Sequence, residues 1–406
     1  MLQGKGVLLG VTGSIAIYKA VDLASKLVQL GAPVDVVMTA SATKMVSPIT
    51  FQAIVHGRVA TDMFDPTSEL GMDHLALARR AAVAVVAPAT ANTMAKLALG
   101  LADDVLSTTF LAASCPHLVA PAMDSVMFQH PTTQENLARL KAQGWLVVGP
   151  DYGRLASGEV GPGRLAPLEK IIAAIRGALG RGGDLAGRQV VVTAGGTQEP
   201  IDPVRYIGNR SSGKMGFALA EAARDRGASV SLIAGPTSIS PPPGMAVVMV
   251  TTALEMKEAV QKEAAGADVL IMAAAVADFR AEEIAAAKIK KAGEAVTLRL
   301  VLNPDILKEV RGDIVRVGFA AESEELEANA QKKLLEKRLD LIVANDITAP
   351  DSGFGSDTNR VVLIAPGREI ERLPLLLKTQ VAHRVLDRVV ELLMRRVVGP
   401  AGIERP

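Results

Sequence analysis

A chain of 406 residues is long enough for two domains that each bury a hydrophobic core. Its formal charge of +1 argues against a role in binding nucleic acid or an anionic membrane, because both normally need a basic excess. Cys115 is the single cysteine, so an intramolecular disulfide is impossible and we expect a cytoplasmic protein. We expect no signal peptide, and no run approaches the ~20 apolar residues of a membrane span.

Two similar openings stand about 180 residues apart, at 7–14 (VLLGVTGS) and 190–197 (VVVTAGGT). Each is an apolar run that ends in threonine and glycine before a helical pattern. In a parallel α/β sheet such a turn brings backbone N–H groups up to a phosphate, because glycine permits close approach and the helix N-terminus is partly positive. The sequence therefore predicts two Rossmann-like, doubly wound parallel-sheet domains, each with a nucleotide-type site.

The first half alternates apolar strands with helical patterns. Strands are predicted near 6–11, 34–38, 83–87, 118–120 and 146–148. Helices are predicted near 15–30, 49–55, 92–99, 103–113 and 132–143. The glycine-rich segment 176–187 is the predicted linker, because glycine does not sustain a helix. We accordingly expect domains at 1–184 and 185–406.

The second half restarts the same pattern. Its strands are predicted near 189–193, 229–233, 247–250, 268–272, 315–318 and 340–343. Long loops are expected at 235–244 and 350–360, and the segment 378–396 has the pattern of an amphipathic helix. Neither half ends its second strand in Asp or Glu, the residue that usually holds the adenosine ribose of a nicotinamide cofactor, which argues against NAD(P).

Three polar phrases of the first half follow strands or open helices. They are 88–93 (PATANT), 100–104 (GLADD) and 121–127 (PAMDSVM). Taken alone, each phrase has the residue composition of an ordinary turn. In this order and spacing they resemble the flavin-binding cysteine decarboxylase family, over about residues 5–170. The resemblance implies an FMN-dependent decarboxylase of 4'-phosphopantothenoylcysteine, in coenzyme A biosynthesis.

The same resemblance implies site residues. His74 would be the general base toward the substrate thiol, although a lone histidine is more often structural. The cysteine side chain would be oxidised to a thioaldehyde, the carboxylate would leave as CO2, and the enethiol would be reduced. Asn92 is implied in substrate contact as well as in flavin binding. The positions implied against FMN are Gly13, Ser14, Ile15, Thr39, Ser41, Pro88, Ala89, Thr90, Asn92, Thr93 and Met123.

Two catalytic positions depart from the family pattern. Asp124 replaces the usual Asn, and an ionised Asp cannot donate a hydrogen bond to the departing carboxylate. Two like charges at about 4 Å cost about 1–4 kcal/mol outside a dry interior, so we expect a protonated Asp124 or another donor. Ser157 stands where the family's flap often carries a cysteine proton donor, and a hydroxyl is the poorer acid. We expect Ser157 to relay a proton or orient the product, since the flap phrase at 161–164 (GPGR) is intact.

The second half carries a dense polar stretch at 202–216 (DPVRYIGNRSSGKMG). Such residues are typical of a loop that binds an oxyanion or a phosphate, although the P-loop spacing is absent. The alternative is a solvent-exposed polar loop without a ligand. Further phrases lie at 273–278 (AAAVAD), 288–291 (KIKK), 317–322 (VGFAAE) and 344–347 (ANDI). Together they resemble phosphopantothenate–cysteine ligase over 188–400.

That resemblance implies activation of 4'-phosphopantothenate by CTP to an acyl-cytidylate, which the cysteine amine then attacks. Asn209 would contact the reacting acyl group, and Lys288 the nucleotide phosphates, where a cation stabilises developing charge. Mg2+ is expected to bridge phosphate oxygens. The implied nucleotide contacts are Gly195, Gly196, Ala273, Ala274, Ala275, Asp278, Lys288, Asn303, Pro304, Asp305, Ile306, Phe319, Lys333 and Lys337. The implied substrate contacts are Arg205, Asn209, Arg210, Ser211 and Ser212.

The leading interpretation is a bifunctional enzyme that makes 4'-phosphopantetheine. One alternative keeps an active ligase and makes the first half a catalytically weak FMN-binding scaffold, because of Asp124 and Ser157. Another is a flavin-fold interaction or regulatory protein, which the intact ligase loops oppose; bound NADPH would indicate an unrelated reductase. The resemblance also implies a homo-oligomer, with trimeric decarboxylase cores, His74 and flavin contributed across an interface, and dimeric ligase halves, together a dodecamer.

Overall fold

The computed structural model describes residues 2–64, 73–290, 296–322, 325–346, 353 and 355–398. The chain separates into two units, Met1–Leu179 and Gly180–Pro406. The elements of the first unit are β1 Val7–Val11, α1 Ile17–Gln29, β2 Val34–Met38, α2 Ala40–Thr43, α3 Pro48–Val55, β3 Val59–Ala60, α4 Asp73–Arg80, β4 Val83–Ala89, α5 Ala91–Leu99, α6 Val105–Ala112, β5 His117–Pro121, α7 Ser125–Gln129, α8 Pro131–Ala142, β6 Leu146–Val147, β7 Asp151–Arg154, β8 Val160–Arg164 and α9 Leu168–Gly180.

The elements of the second unit continue this numbering. They are β9 Gln189–Ala194, β10 Gln198–Pro200, β11 Tyr206–Gly208, α10 Lys214–Asp225, β12 Ser229–Ala234, β13 Val247–Met249, α11 Ala253–Ala264, β14 Val269–Met272, β15 Phe279–Ala281, β16 Leu300–Leu302, α12 Ile306–Glu309, β17 Val315–Glu322, α13 Leu326–Glu336, β18 Leu341–Asp346, β19 Thr358–Asn359, β20 Val361–Ile364, β21 Glu371–Arg372, β22 Leu376–Leu377 and α14 Lys378–Val398.

The central sheet of the first unit has the strand order β3-β2-β1-β4-β5-β6, with every neighbouring pair parallel. Strands β1 and β4 are buried along their whole length, as expected where helices cover both faces. Because successive side chains point to opposite faces, Leu9 enters one core cluster and Leu8 the other. The apolar runs of the sequence therefore fold as predicted for a doubly wound sheet.

The second unit contains a larger sheet with the order β13-β12-β9-β14-β17-β18-β20-β21. Its pairs are parallel from β13 to β18, whereas β20 and β21 are added antiparallel at one edge. Helix α14 packs Val381, Val385 and Val389 into the core at four-residue spacing, so the predicted amphipathic helix is confirmed. The predicted α/β fold class is confirmed in both units, and the antiparallel edge is an addition to it.

The sequence does not predict four small antiparallel pairs, β7–β8, β10–β11, β15–β16 and β19–β22. They are too short, and too rich in Gly, Pro and charged residues, to give an apolar strand pattern.

The linker prediction at 176–187 is wrong in its first part, because α9 continues to Gly180. Buried Ile171, Ile175 and Ala178 anchor this helix, and a side chain at Gly177 would meet nothing within 4 Å. Packing of the apolar face therefore outweighs the low helix propensity of glycine. Of the sequence phrases, Lys291, Ile347 and residues 350–352 and 354 lie outside the described residues.

Candidate functional sites

A cavity of about 770 Å3 opens at the carboxyl ends of β1 and β4, beside the β7–β8 hairpin. This is the edge at which open parallel sheets place their ligands. The implied site residues that line it are Gly13, Ser14, Ile15, Thr90, Met123, Asp124 and Ser157. The lining also includes Met127 and Arg164, from the quoted phrases 121–127 and 161–164, and three residues that the sequence did not point to, Tyr18, Lys19 and Arg154.

The turn after β1 is built for close approach. A side chain at Gly13 would place its Cβ 2.5 Å from the Cβ of Ser41, so only glycine fits without a shift. Thr39 caps α2, with its hydroxyl accepting the Ala42 N–H at 3.2 Å. The implied flavin positions Gly13, Thr39 and Ser41 are thus brought together, and the bare glycine turn fits a phosphate or ring that needs backbone contact.

Hydrogen bonds join this turn to the neighbouring loops. The Thr12 hydroxyl donates to the Pro88 carbonyl at 2.6 Å and accepts the Thr90 N–H at 3.1 Å. The Ser14 hydroxyl donates to the Ala122 carbonyl at 3.0 Å. The turn and the two loops therefore form one rigid edge around the cavity.

The remaining positions of the 88–93 phrase serve that edge differently. Pro88 and Ala89 belong to β4, and Thr90 caps α5 by accepting the N–H of the buried Thr93 at 3.3 Å. Asn92 is exposed on α5. Of the phrase's implied positions, Thr90 lines the cavity, whereas Pro88, Ala89, Asn92 and Thr93 are not among its described lining residues.

The two departures from the family pattern contact each other. The Ser157 hydroxyl donates to Asp124 Oδ2 at 3.0 Å, and Asp124 Oδ1 accepts the Val126 N–H at 3.0 Å as the cap of α7. Both side-chain oxygens of Asp124 are therefore engaged, one by a backbone N–H and the other by the Ser157 hydroxyl. Positions 33 residues apart in sequence act as one unit.

Two sequence candidates fall outside this cavity. His74 lies on α4 and is absent from the described lining of its own chain's cavity. The GLADD phrase is a helix start, because Asp104 forms a capping box with Ser107. Hydrogen bonds from Lys96 to Asp103 and Asp104 raise the pKa of that lysine, so the phrase has a structural role.

A second cavity, of about 730 Å3, opens at the carboxyl ends of β14, β17 and β18 in the second unit. The implied residues that line it are Asn209, Ser211, Ser212, Ala273, Ala274, Ala275, Asp278, Asn303, Pro304, Asp305, Ile306, Phe319, Lys333 and Lys337. Gly195, Gly196, Arg205, Arg210 and Lys288 are not among its described lining residues.

Side chains of the polar loops hold the segment after β14 in place. The Asn209 amide donates to the carbonyls of Ala275 and Val276, both at 3.2 Å. The Thr197 hydroxyl accepts the Ala277 N–H at 2.9 Å, and the Asn303 amide donates to the Ala277 carbonyl at 2.8 Å. This segment therefore forms a fixed wall of small residues, against which a planar base could stack.

Charges concentrate at the α12–α13 side of the cavity. The Lys337 ammonium lies 3.1 Å from Asp305 Oδ2, and that of Lys308 lies 3.8 Å from it. Lys333 lines the same wall. Cations at this position suit a polyphosphate.

The segment that carries Lys288 is held by Asp202 and Arg205. Asp202 Oδ2 accepts the Ile289 N–H at 3.2 Å, and the Arg205 guanidinium donates to the Ile289 carbonyl at 3.3 Å. Arg205, implied as a substrate contact, thus supports the backbone beside Lys288 in this structure.

Sequence reasoning missed a lysine pair that lines the second cavity. Lys378, 5% exposed, donates to the carbonyls of Gly353 and Ser356, and Lys214 contacts Asp357 at 2.7 Å. Burial, with the charge of Lys214 in addition, lowers the pKa of Lys378 to about 8. Lys214 belongs to the quoted 202–216 stretch. Lys378 is the first residue of α14, and no sequence motif around it marks it as a site residue.

No helix in the described residues is long and apolar enough to cross a membrane. The same residues contain no group of three or more His, Cys, Asp or Glu side chains placed to hold a metal ion.

Two α/β units, each with a glycine turn after a central strand and a cavity at the carboxyl ends of its parallel strands, have the architecture of flavin- and nucleotide-binding domains. Comparison with known proteins specifies the family. Residues 1–180 match the family model described as Flavoprotein, and residues 185–393 match the DNA/pantothenate metabolism flavoprotein C-terminal domain.

The chain is 46% identical over 398 residues to the coenzyme A biosynthesis bifunctional protein CoaBC of Bacillus subtilis (strain 168), covering 97% of this chain and 98% of the relative. The sequence of a C-terminal domain of a CoaBC protein, known from a crystal structure, is 39% identical to this chain, and the TM-score is 0.45. The match covers 52% of this chain and 98% of the chain in the crystal. The FMN-dependent cysteine decarboxylase SpaF is 34% identical, with TM-score 0.39, covering 44% and 97%.

The chain belongs to the family of coenzyme A biosynthesis bifunctional proteins. The prediction of a bifunctional enzyme, with a flavoprotein decarboxylase half and a ligase half, is confirmed.

Proposed function

We propose that residues 185–406 ligate cysteine to 4'-phosphopantothenate at the expense of CTP, and that residues 1–184 decarboxylate the product with FMN. The observation that supports this most is the pair of separate cavities, one per unit, each lined by a part of the residues that the resemblance implies. The chain would thereby convert 4'-phosphopantothenate to 4'-phosphopantetheine.

In the first unit the protein positions the substrate's cysteine end. FMN, held at the Gly13 turn and the Thr39–Ser41 segment, supplies the two-electron chemistry when bound. We propose that His74 removes the thiol proton and is contributed to the cavity of a neighbouring copy. Asp124 fixes the Ser157 hydroxyl, which donates to it at 3.0 Å.

In the second unit the nucleotide phosphates would lie at Lys333 and Lys337, and the cytosine would stack against the 273–278 wall. The Lys288 ammonium would stabilise the charge that develops as the carboxylate attacks the α-phosphate. Asn209 would orient the acyl group. Mg2+ would be bound mainly through phosphate oxygens. The carboxylates of Asp278 and Asp305, which line the cavity, are oxygen ligands of the kind that Mg2+ binds.

We also propose a cytoplasmic homo-oligomer. Apolar side chains at the rim of the first unit are strongly exposed, with Ile15 and Tyr18 each at 65%, which supports a decarboxylase core formed by several copies, a trimer by resemblance. Exposed Tyr206 and Leu302 on the β10–β11 and β15–β16 pairs support dimeric ligase units. Such a combination would close as a dodecamer.

The contact between Ser157 and Asp124 also favours the second candidate, an active ligase beside a weakly catalytic FMN-binding scaffold. A hydroxyl held by a carboxylate is a poorer acid than a free one. The two candidates differ in what the first unit does when 4'-phosphopantothenoylcysteine is supplied alone. They differ in whether it releases CO2 and whether it completes the reduction of the enethiol.

Two variants separate the activities. Lys288→Ala should abolish CTP-dependent ligation and leave flavin binding and CO2 release intact. His74→Asn should stop CO2 release and leave ligation unchanged. Normal ligation by the first variant would remove Lys288 from the mechanism, and loss of both activities in the second would assign His74 to assembly.

A further inference from the structure

The second cavity is bordered by helices from both faces of its sheet. Helices α10 and α14 pack on one face and α11 and α13 on the other, since their apolar residues enter two separate core clusters. Lys333 and Lys337, the proposed phosphate contacts, belong to α13 and its end. Lys214 and Lys378, the first residues of α10 and α14, also line the cavity. The proposed nucleotide position therefore leaves their side of the cavity for the other substrates, 4'-phosphopantothenate and cysteine.

Lys378 is buried without a counter-ion. It is 5% exposed, and its Nζ donates to the carbonyls of Gly353 and Ser356. Among the described residues no carboxylate forms a hydrogen bond or an ion pair with Lys378, and the nearby Asp357 is paired with Lys214 at 2.7 Å. Burial that is not compensated by a direct negative partner disfavours the charged form of an amine.

The hydrogen-bond partners of Lys378 also suit an uncharged amine. An ammonium has three N–H donors and no acceptor. The uncharged amine has two donors, which the two carbonyls accept, and a lone pair that is left to accept a proton. The charged groups that act on Lys378 are Lys214 on α10 and Asp357 before β19. Burial, with the charge of Lys214 in addition, lowers the pKa of Lys378 to about 8, and a general base is most effective when its pKa is near the working pH.

We infer that Lys378 is the general base that takes a proton from the ammonium group of cysteine in the second step of ligation. The proton moves from the cysteine nitrogen to Nζ of Lys378, and the lone pair that is freed attacks the acyl carbon of the acyl-cytidylate. The bond between this carbon and the phosphate oxygen breaks, and CMP leaves with the electron pair. A second proton passes from the nitrogen to CMP or water, and Lys378 returns its own proton to water. This inference rests on the proposed function, which supplies the acyl-cytidylate and the amine.

The other lysines around the cavity suit a different task. Lys214, Lys308 and Lys337 each pair with a carboxylate. Such pairing stabilises the charged form, which favours contact with phosphate over proton transfer. Among these four lysines of the described lining, Lys378 alone is buried and has carbonyls as its hydrogen-bond partners.

The test compares two nucleophiles, cysteine and hydroxylamine, with the full-length protein. Hydroxylamine is already uncharged at neutral pH, so it attacks an acyl-cytidylate without the help of a base. The variants are Lys378→Met, which removes the amine, and Lys378→Arg, which keeps a cation that cannot be deprotonated. Lys257→Met is the control, because the Lys257 side chain is 26% exposed, pairs with Glu309 at 2.7 Å and is not among the described lining residues.

A general base contributes about 100- to 10,000-fold, so we expect both Lys378 variants to form the amide with cysteine at least about 100-fold more slowly at neutral pH. The single-turnover release of pyrophosphate before a nucleophile is added, and the trapping by hydroxylamine, should each change less than about threefold. The control should match wild type. The rate with cysteine should level off above about pH 8 in wild type and keep rising with pH in Lys378→Arg.

Two results would overturn the inference. Equal losses with cysteine and hydroxylamine would mean that Lys378 shapes the cavity or holds the chain at Gly353 and Ser356. Slower release of pyrophosphate in the same variants would assign Lys378 to the first step, the activation of the carboxylate. A wild-type protein that released no pyrophosphate at all would instead refute the proposed ligase, and the inference with it, before any variant is compared.

Discussion

The ligase half offers a sharp test in Asp202, a buried carboxylate that does not line the cavity. Its Oδ1 accepts the N–H groups of Val204 and Arg205, both at 2.8 Å, and its Oδ2 accepts the Ile289 N–H at 3.2 Å. Burial alone would raise the pKa of Asp202, but these N–H groups and the Arg205 charge keep it below its usual value. The carboxylate thus couples a turn to the backbone next to Lys288.

In Asp202→Asn one acceptor oxygen becomes an NH2 group, which would face a backbone N–H. The amide can serve the turn or Ile289, and the other contact is lost. If the Lys288 backbone is released and its ammonium moves by about 1 Å, the rate of ligation should fall roughly 10- to 100-fold. We expect the loss in kcat, measured as CTP-dependent pyrophosphate release with saturating substrates, and no change in flavin content.

Asp268→Asn is the matched control. Asp268 Oδ2 also accepts a backbone N–H, that of Gln189, at 2.8 Å, at the start of β9 and outside the lining of the cavity. Ligation at the wild-type rate by Asp202→Asn would refute the idea that this carboxylate positions Lys288. An equal loss in the Asp268 variant would show a general effect of destabilisation.

Three further predictions concern single residues. Gly13→Ala should weaken FMN binding roughly 10-fold, because its Cβ meets Ser41, whereas Gly177→Ala should leave flavin fluorescence unchanged; equal binding in both would contradict the tight turn. Lys378 has a lowered pKa of about 8, so its burial penalty is fully present below pH 8 and is relieved as pH rises toward 10.5. The unfolding free energy of wild type, relative to that of Lys378→Met, should therefore increase by up to about 1.4 kcal/mol per pH unit in this range. Parallel curves of unfolding free energy against pH for the two proteins would refute this. Leu118→Ala, in the buried strand β5, should lower the stability of the first unit by about 2–5 kcal/mol in urea unfolding, and a loss below 1 kcal/mol would contradict its place in the core.

Strands and helices with strong apolar patterns were predictable from the sequence. β1, β4 and α14 have this property, because burial of a continuous run or of one helix face depends on local periodicity. The hairpins were not predictable in this way. The β7–β8 hairpin contains Arg154 and Arg164 and few apolar residues, so no local pattern marks it as paired strands.

The candidate sites, too, were predictable from the sequence only in part. The glycine turn and the 273–278 wall could be named from contiguous phrases, whereas Lys333 and Lys337 were implied only by the resemblance to the ligase family. The contact of Asp124 with Ser157 joins residues far apart in sequence and needed coordinates. The same holds for Lys378, whose environment is set by the chain around residues 353–357.

The central claim is that one chain carries both reactions. Its most direct test is mass spectrometry of the products after purified, flavin-loaded protein is given 4'-phosphopantothenate, cysteine, CTP and Mg2+. We expect CMP, pyrophosphate, CO2 and 4'-phosphopantetheine in equal amounts. Accumulation of 4'-phosphopantothenoylcysteine without CO2 would contradict it and leave the first unit as a flavin-binding scaffold.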